Sequence, residues 1–179
     1  MLAEVWSPRT PGWKIIQRFG QDNYALTQPG AYWPLVAHGA LDVYLPDGTP
    51  VCALDAGVVT FAGLDAATDR NPHVGLGIFV DLAHTWGRTR HAHLRAIGQR
   101  LGNLVKAGDE LGMSDNTGFS DTPHLHLAVG TINVAYHTPG FADWVDPLQF
   151  LPVSLGGAGL EPPRSVRPLT GETIQMRIE

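Results

Sequence analysis

The sequence predicts a mainly β fold, and three observations carry that prediction. Its apolar residues come in short segments, several of which alternate with polar ones, as in "LDVYL" (41–45) and "HLHLAVG" (124–130). Turn formers separate the segments, drawn from 21 glycines and 14 prolines in 179 residues. No stretch before "WVDPLQFL" (144–151) repeats its apolar residues at helical spacing over a useful length. The length suits one domain, and 44% hydrophobic against 16% charged residues is the balance of a folded chain.

In chain order, residues 1–12 form an irregular lead-in, and "WKIIQRFG" (13–20) is a short strand candidate. Residues 21–40 carry Pro, Gly and Asn at close spacing and read as a long aromatic-rich loop, a kind usually tied to function. "LDVYL" stops at "PDGT", "PVCAL" at "DAG", and "VVTFAG" (58–63) leads into a polar loop, "LDAATDRNPHV" (64–74). "GLGIFVDLAH" (75–84) and "RTRHAHLRAI" (88–97) are the next strands, and "VKAGDELGM" (105–113) is a turn between two short ones. A second polar loop, "SDNTGFSDTP" (114–123), delivers the chain into "HLHLAVG". "WVDPLQFL" is expected to be a short terminal helix closing a single domain over 1–151. The remaining tail, 152–179, is Pro/Gly-rich. Ile174, Met176 and Ile178 alternate near its end, a pattern that would let 173–179 add an edge strand.

Composition excludes several classes. A formal net charge of −5, with Lys14 and Lys106 the only lysines, leaves no basic patch for nucleic acid. Cys52 is the single cysteine, so an internal disulfide and a cysteine-rich zinc site are both ruled out, and it reads as a small buried hydrophobe. The start, "MLAEVWSPRTPGWK", has no basic region followed by an apolar run, so no signal peptide is expected. No apolar run approaches the ~18 residues of a membrane span.

The histidines are the anomaly. Five of the eight (His38, His91, His93, His124 and His126) fall in or beside strand segments. Residues two apart on a strand share a face, about 7 Å apart, so His124 and His126 are co-facial, and so by the same rule are His91 and His93. One histidine of such a pair can bind a metal while its neighbour serves a water molecule. His38 and Asp42 are four apart; on a straight strand they would sit ~13 Å apart, so they converge only if the chain curls, as Gly39 permits. Any one of these pairs alone reads as hydrogen-bonded structure. Their joint occurrence at loop-to-strand junctions favours a metal site.

Taken in order, "HGALD" (38–42), "GTPVCALDAGVVTFAG" (48–63), "HAHL" (91–94), "VKAGDELG" (105–112) and "NTGFSDTPHLHL" (116–127) resemble the lysostaphin/LytM-type zinc metallopeptidases of bacterial peptidoglycan. The resemblance spans about residues 30–150. It implies an antiparallel β-sandwich or barrel-sandwich hybrid around a central groove. It also implies one Zn²⁺ per chain held by His38, Asp42 and His126, with His93 and His124 acting on water and the transition state. Which of these two takes the proton stays open, as imidazole near pKa ~6.5 suits either. Tyr32, rather than Tyr24, is expected to add a hydrogen bond from the long loop.

The implied substrate is a stem or cross-bridge peptide of peptidoglycan, cut at a glycine bridge or at a D-alanyl–diaminopimelate link. The implied place of action is the cell wall, and without a signal peptide the balance leans toward a monomeric phage-type lysin with antimicrobial action. The rival readings are a non-catalytic wall-binding or hydrolase-activating relative, and a lipoyl-type carrier barrel. The latter lacks a lysine in the required hairpin. Departures from the family pattern are His91, expected to line the groove, compete for metal or sit at a wet rim, and Ala40 in place of a glycine. His73, His84 and His137 are assigned to surface or structure.

Overall fold

The computed structural model describes residues 2–22 and 35–159. Within them ten strands form one sheet in which every pairing is antiparallel: β1 (Lys14–Gln17), β2 (Leu41–Tyr44), β3 (Pro50–Cys52), β4 (Gly57–Leu64), β5 (Ile78–His84), β6 (Gly87–Ile97), β7 (Leu104–Val105), β8 (Glu110–Ser114), β9 (His124–Thr131) and β10 (Trp144–Val145). The main path runs β1-β2-β9-β6-β5-β4-β7; β10 joins β9, and the β3–β8 pair joins β6 through β8. The mainly β, antiparallel expectation holds.

The strand alternation sorts this sheet into two faces. Leu41 pairs with Leu127 and Val43 with Leu125; all four are fully buried and point into the core. Trp6, Trp86, Phe150, Leu151 and Leu155 pack with them. The lead-in is therefore not idle: it is tied down by hydrogen bonds from Ala3 N–H to Leu54 O (2.8 Å) and from Cys52 N–H to Val5 O (2.7 Å). Asp42 pairs with His126 and Tyr44 with His124 on the opposite face. A one-residue slip would send both histidines into the core, so burial of the leucines sets the register.

Three local expectations change. The loop 64–74 contains a short helix, α1 (Ala66–Arg70), started by the Asp65 side chain accepting from Ala67 N–H; five residues are too few to show a period in sequence. "WVDPLQFL" is not a helix throughout: Trp144 and Val145 pair with β9, and only Pro147–Gln149 form a 3₁₀ turn, capped by Asp146. Cys52 is half-buried rather than buried. No described helix is long and apolar enough to cross a membrane. The candidate edge strand at 173–179 lies outside the described residues.

Candidate active site

The site forms where β2, β6, β8 and β9 meet. Gly20 N–H donates to His38 O (2.8 Å) and His38 N–H to Gln21 O (3.1 Å), so the turn after β1 grips the residue ahead of β2 and makes the curl. His38 Nδ1 lies 3.3 Å from the Arg18 carbonyl oxygen. A carbonyl can only accept, which puts the ring proton on Nδ1 and leaves the Nε2 lone pair facing inward. Nε2 then lies 3.3 Å from Asp42 Oδ1 and 3.3 Å from His126 Nδ1, and His126 Nδ1 lies 2.9 Å from the same Oδ1.

The donor chemistry of this cluster suits a cation. Two imidazoles and a carboxylate converge, their ligand atoms within 4.8 Å of one another, as in a three-ligand zinc site with an open position. Burial alone would raise the Asp42 pKa, but the charge and hydrogen bond of His126 and His38 hold it well below the usual carboxylate range. Burial lowers His126, partly against the pull of Asp42. Both effects favour the unprotonated forms that bind metal. Among the described residues no other set of three such side chains converges.

His93 and His124 stand beside the cluster, their ring centroids 4.6 Å apart and His93 5.6 Å from His126. His93 occupies a break in the ladder: β6 pairs with β9 up to Ala92 and with β8 from Leu94 on. At that partner switch His93 adopts φ 61°, a left-handed conformation uncommon for a side chain of its size. Asp115 fills the fork, its N–H donating to His93 O (3.0 Å) and its carbonyl accepting from His124 N–H (3.1 Å). One backbone unit thus spaces both histidines.

Their rings are held the same way. His93 Nδ1 lies 2.7 Å from Thr117 O and His124 Nδ1 lies 2.8 Å from Thr122 O, so each carries its proton on Nδ1 and keeps Nε2 as an acceptor. His124 Nε2 points at the cluster, 3.8 Å from Asp42 Oδ2. Ser120 Oγ also lies 3.0 Å from His124 Nδ1 and donates to Asn116 Oδ1 (2.5 Å). Burial, then the neighbouring His126 and His124, push His93 down to about 3, so it is a neutral ring at ordinary pH.

The partner switch also corrects the reading of His91. It neither lines the groove nor sits at a wet rim. It pairs with Leu127 on the core face, is fully buried, and has no hydrogen-bond partner on either ring nitrogen. The left-handed residue at 93 breaks the alternation, so residues two apart on β6 face opposite ways. The other assignments stand: His73 is exposed, His84 bonds Ala56 O and Thr89 Oγ1 (2.9 Å each), and His137 Nε2 bonds Thr131 O (2.7 Å). Tyr32 lies outside the described residues. Sequence reading missed Asn116, Ser120 and the carbonyls of Arg18, Thr117 and Thr122. The polar loop had flagged the first two as a region, but a carbonyl acceptor leaves no mark on residue type.

Known proteins resemble this chain in sequence and in fold. The chain is 37% identical over 110 residues to the DD-carboxypeptidase/endopeptidase Mpg of Neisseria meningitidis (57% of this chain, 24% of that one). It is 33% identical over 114 residues to the glycyl-glycine endopeptidase ALE-1 of Staphylococcus capitis (64% and 29%). The matched part is therefore under a third of either relative. The catalytic domain of lysostaphin from Staphylococcus simulans superposes with a TM-score of 0.61 at 25% identity, covering 81% of this chain and 97% of that domain. Residues 36–138, which hold all five site residues, match the sequence profile of Peptidase family M23. By that match, which spans more than half of the chain, this protein belongs to Peptidase family M23.

Proposed function

We propose that the chain is a zinc-dependent endopeptidase that hydrolyses peptide cross-links of bacterial peptidoglycan and acts at the cell wall. In this reading His38, Asp42 and His126 hold one zinc ion, and His93 and His124 serve the reaction. The observation that carries it is the convergence of His38 Nε2, Asp42 Oδ1 and His126 Nδ1, with the two further imidazoles alongside.

The bound ion would supply Lewis acidity, polarising the scissile carbonyl and lowering the pKa of water toward ~7. Asp42, kept ionised between His38 and His126, would offset the charge of the cation. His93 and His124 each offer an Nε2 lone pair, so either can take a proton from water. The ring that takes it becomes a donor for the developing oxyanion or the leaving amine. The backbone carbonyls behind both rings hold the tautomers and accept the charge that builds up. The domain in this reading starts near residue 1 and runs a few residues past 151, because the core draws on Val5, Trp6, Phe150, Leu151 and Leu155.

Metal content and turnover measured together test it. Purified protein is expected to carry near-stoichiometric zinc and to clear a peptidoglycan gel, with clearing lost on chelation. His126→Ala is expected to lose the metal, whereas His124→Ala keeps it and loses turnover. Full zinc and full activity in both variants would refute the assignment. A zinc-loaded protein that leaves peptidoglycan intact would instead favour a wall-binding relative.

A further inference from the structure

The face that carries Asp42, His124 and His126 continues along the sheet. The register of β9 against β6 pairs His126 with Ala92, Ala128 with Arg90 and Gly130 with Arg88. Arg90 and Arg88 therefore stand on the same face as His126, about 7 and 14 Å further along the strand. On this face Ala92 stands opposite His126 and Ala128 opposite Arg90, both small side chains.

Arg88 is held rather than loose. Its guanidinium lies 4.0 Å from the centroid of the Trp144 ring, and its Nη2 donates to Asp143 Oδ1 at 2.7 Å. Its stem lies against Gly130, where a Cβ would come within 3.1 Å of Arg88 Cγ and Nε. Trp144 reaches back to the site, its Cδ1 3.8 Å from where a Cβ on Gly39, next to His38, would sit. Nearer the cluster, Arg90 grips Asp81 with Nε and Nη2 (2.8 and 2.7 Å) and lies 4.9 Å from the Phe79 centroid and 5.5 Å from that of Trp144. The turn that delivers Asp143 and Trp144 holds Ala142 at φ 55°, a conformation an alanine adopts only under constraint.

Asp81 and Asp143 are the acidic groups facing these arginines. Asp81 takes two Arg90 donors, whereas Asp143 takes a single Nη2 of Arg88. A guanidinium has five N–H donors, and an ion pair as exposed as Arg88–Asp143 (44% and 39%) is weak. Arg88 can thus add a second carboxylate without giving up much. Stacking on Trp144 fixes the fork in advance, which lowers the ordering cost of binding. A glycine bridge brings no anionic group to such a fork; a stem peptide with acidic residues does.

We propose that Arg88, clamped between Trp144 and Gly130, receives a carboxylate of the substrate peptide, so that the preferred cross-link is flanked by acidic stem-peptide residues rather than being an uncharged glycine bridge. The proposal rests on the peptidase reading above. A distance of ~14 Å corresponds to about four residues of extended peptide, within reach of the stem on one side of the cut bond.

The test compares three substrates on the zinc-loaded protein: a D-alanyl–diaminopimelate cross-linked peptide dimer with free stem carboxylates, the same dimer amidated, and pentaglycine. Wild type is expected to favour the free carboxylate over the amide by about tenfold in kcat/KM, and to cut pentaglycine least. Arg88→Gln, checked for unchanged zinc content and melting temperature, is expected to bring that ratio near unity, chiefly by raising KM on the free acid. A ratio unchanged in Arg88→Gln, equal wild-type rates on acid and amide, or faster cleavage of pentaglycine overturns the subsite while leaving the peptidase intact. Failure of wild type on all three substrates overturns the peptidase reading and the subsite with it.

Discussion

His91→Leu should make the protein more resistant to acid. The ring is fully buried on the core face with both nitrogens unpartnered. Burial first, and the nearby His84 second, lower its pKa from 6.5 to about 3; the Val80 backbone opposes this only weakly and is not in hydrogen-bonding geometry with either nitrogen. The unfolded chain therefore binds a proton below pH 6.5 that the native state refuses until about pH 3. Stability is full above the unfolded value and falls as pH drops through that window. At pH 5 this single group costs about 2 kcal/mol relative to neutral pH. At neutral pH the unpaired ring nitrogens cost a further ~1–3 kcal/mol, which leucine removes at the expense of an imperfect fit. Urea unfolding of both proteins, at pH 7.5 and pH 5 with chelator present throughout, measures the difference. The variant should be at least as stable as wild type at pH 7.5, with its advantage about 2 kcal/mol larger at pH 5. An advantage that stays constant within ~0.5 kcal/mol would refute the reasoning.

Two further outcomes follow from the same geometry. Ala142→Gly relieves a left-handed backbone at φ 55° and should raise stability by about 1 kcal/mol, read as a higher melting temperature. A lower melting temperature would show that the turn is not strained. Ser120→Ala removes the hydroxyl beside His124 Nδ1 and should lower kcat by roughly tenfold with zinc content unchanged; an unaltered kcat would mean that the Thr122 carbonyl alone orients the ring.

The local alternation of β2 and β9 was readable because one face of each is wholly apolar. Leu41, Val43, Leu125 and Leu127 must be buried, and a period of two then leaves Asp42, His124 and His126 no choice of side. The same rule failed on β6. It placed His91 with His93, and the strand instead exchanges β9 for β8 between Ala92 and Leu94. A partner switch is a property of three strands at once, so no window of one strand can contain it. The short elements were hidden for a related reason. In α1 and in 144–149 the chain follows a capping aspartate and a sheet edge rather than any period.

Residue types and spacing by themselves determined the fold class and the faces of the histidine strand, and they pointed to a metal site among the pairs His38/Asp42, His91/His93 and His124/His126; taking His93 rather than His91 came with the family resemblance. They could do so because a buried imidazole or carboxylate is costly without a partner and the pairs fall at loop-to-strand junctions; His91, buried with neither nitrogen hydrogen-bonded, is where that rule stops. Tertiary structure alone decided how the set closes. The Gly20–Gln21 turn pulls His38 toward Asp42, and Asp115 spaces His93 from His124. Three carbonyls orient the rings, and Arg88 lies under Trp144 on the continuing face. These are backbone hydrogen bonds and contacts across the sheet between residues remote in sequence, and their strength depends on distance and direction rather than on residue type.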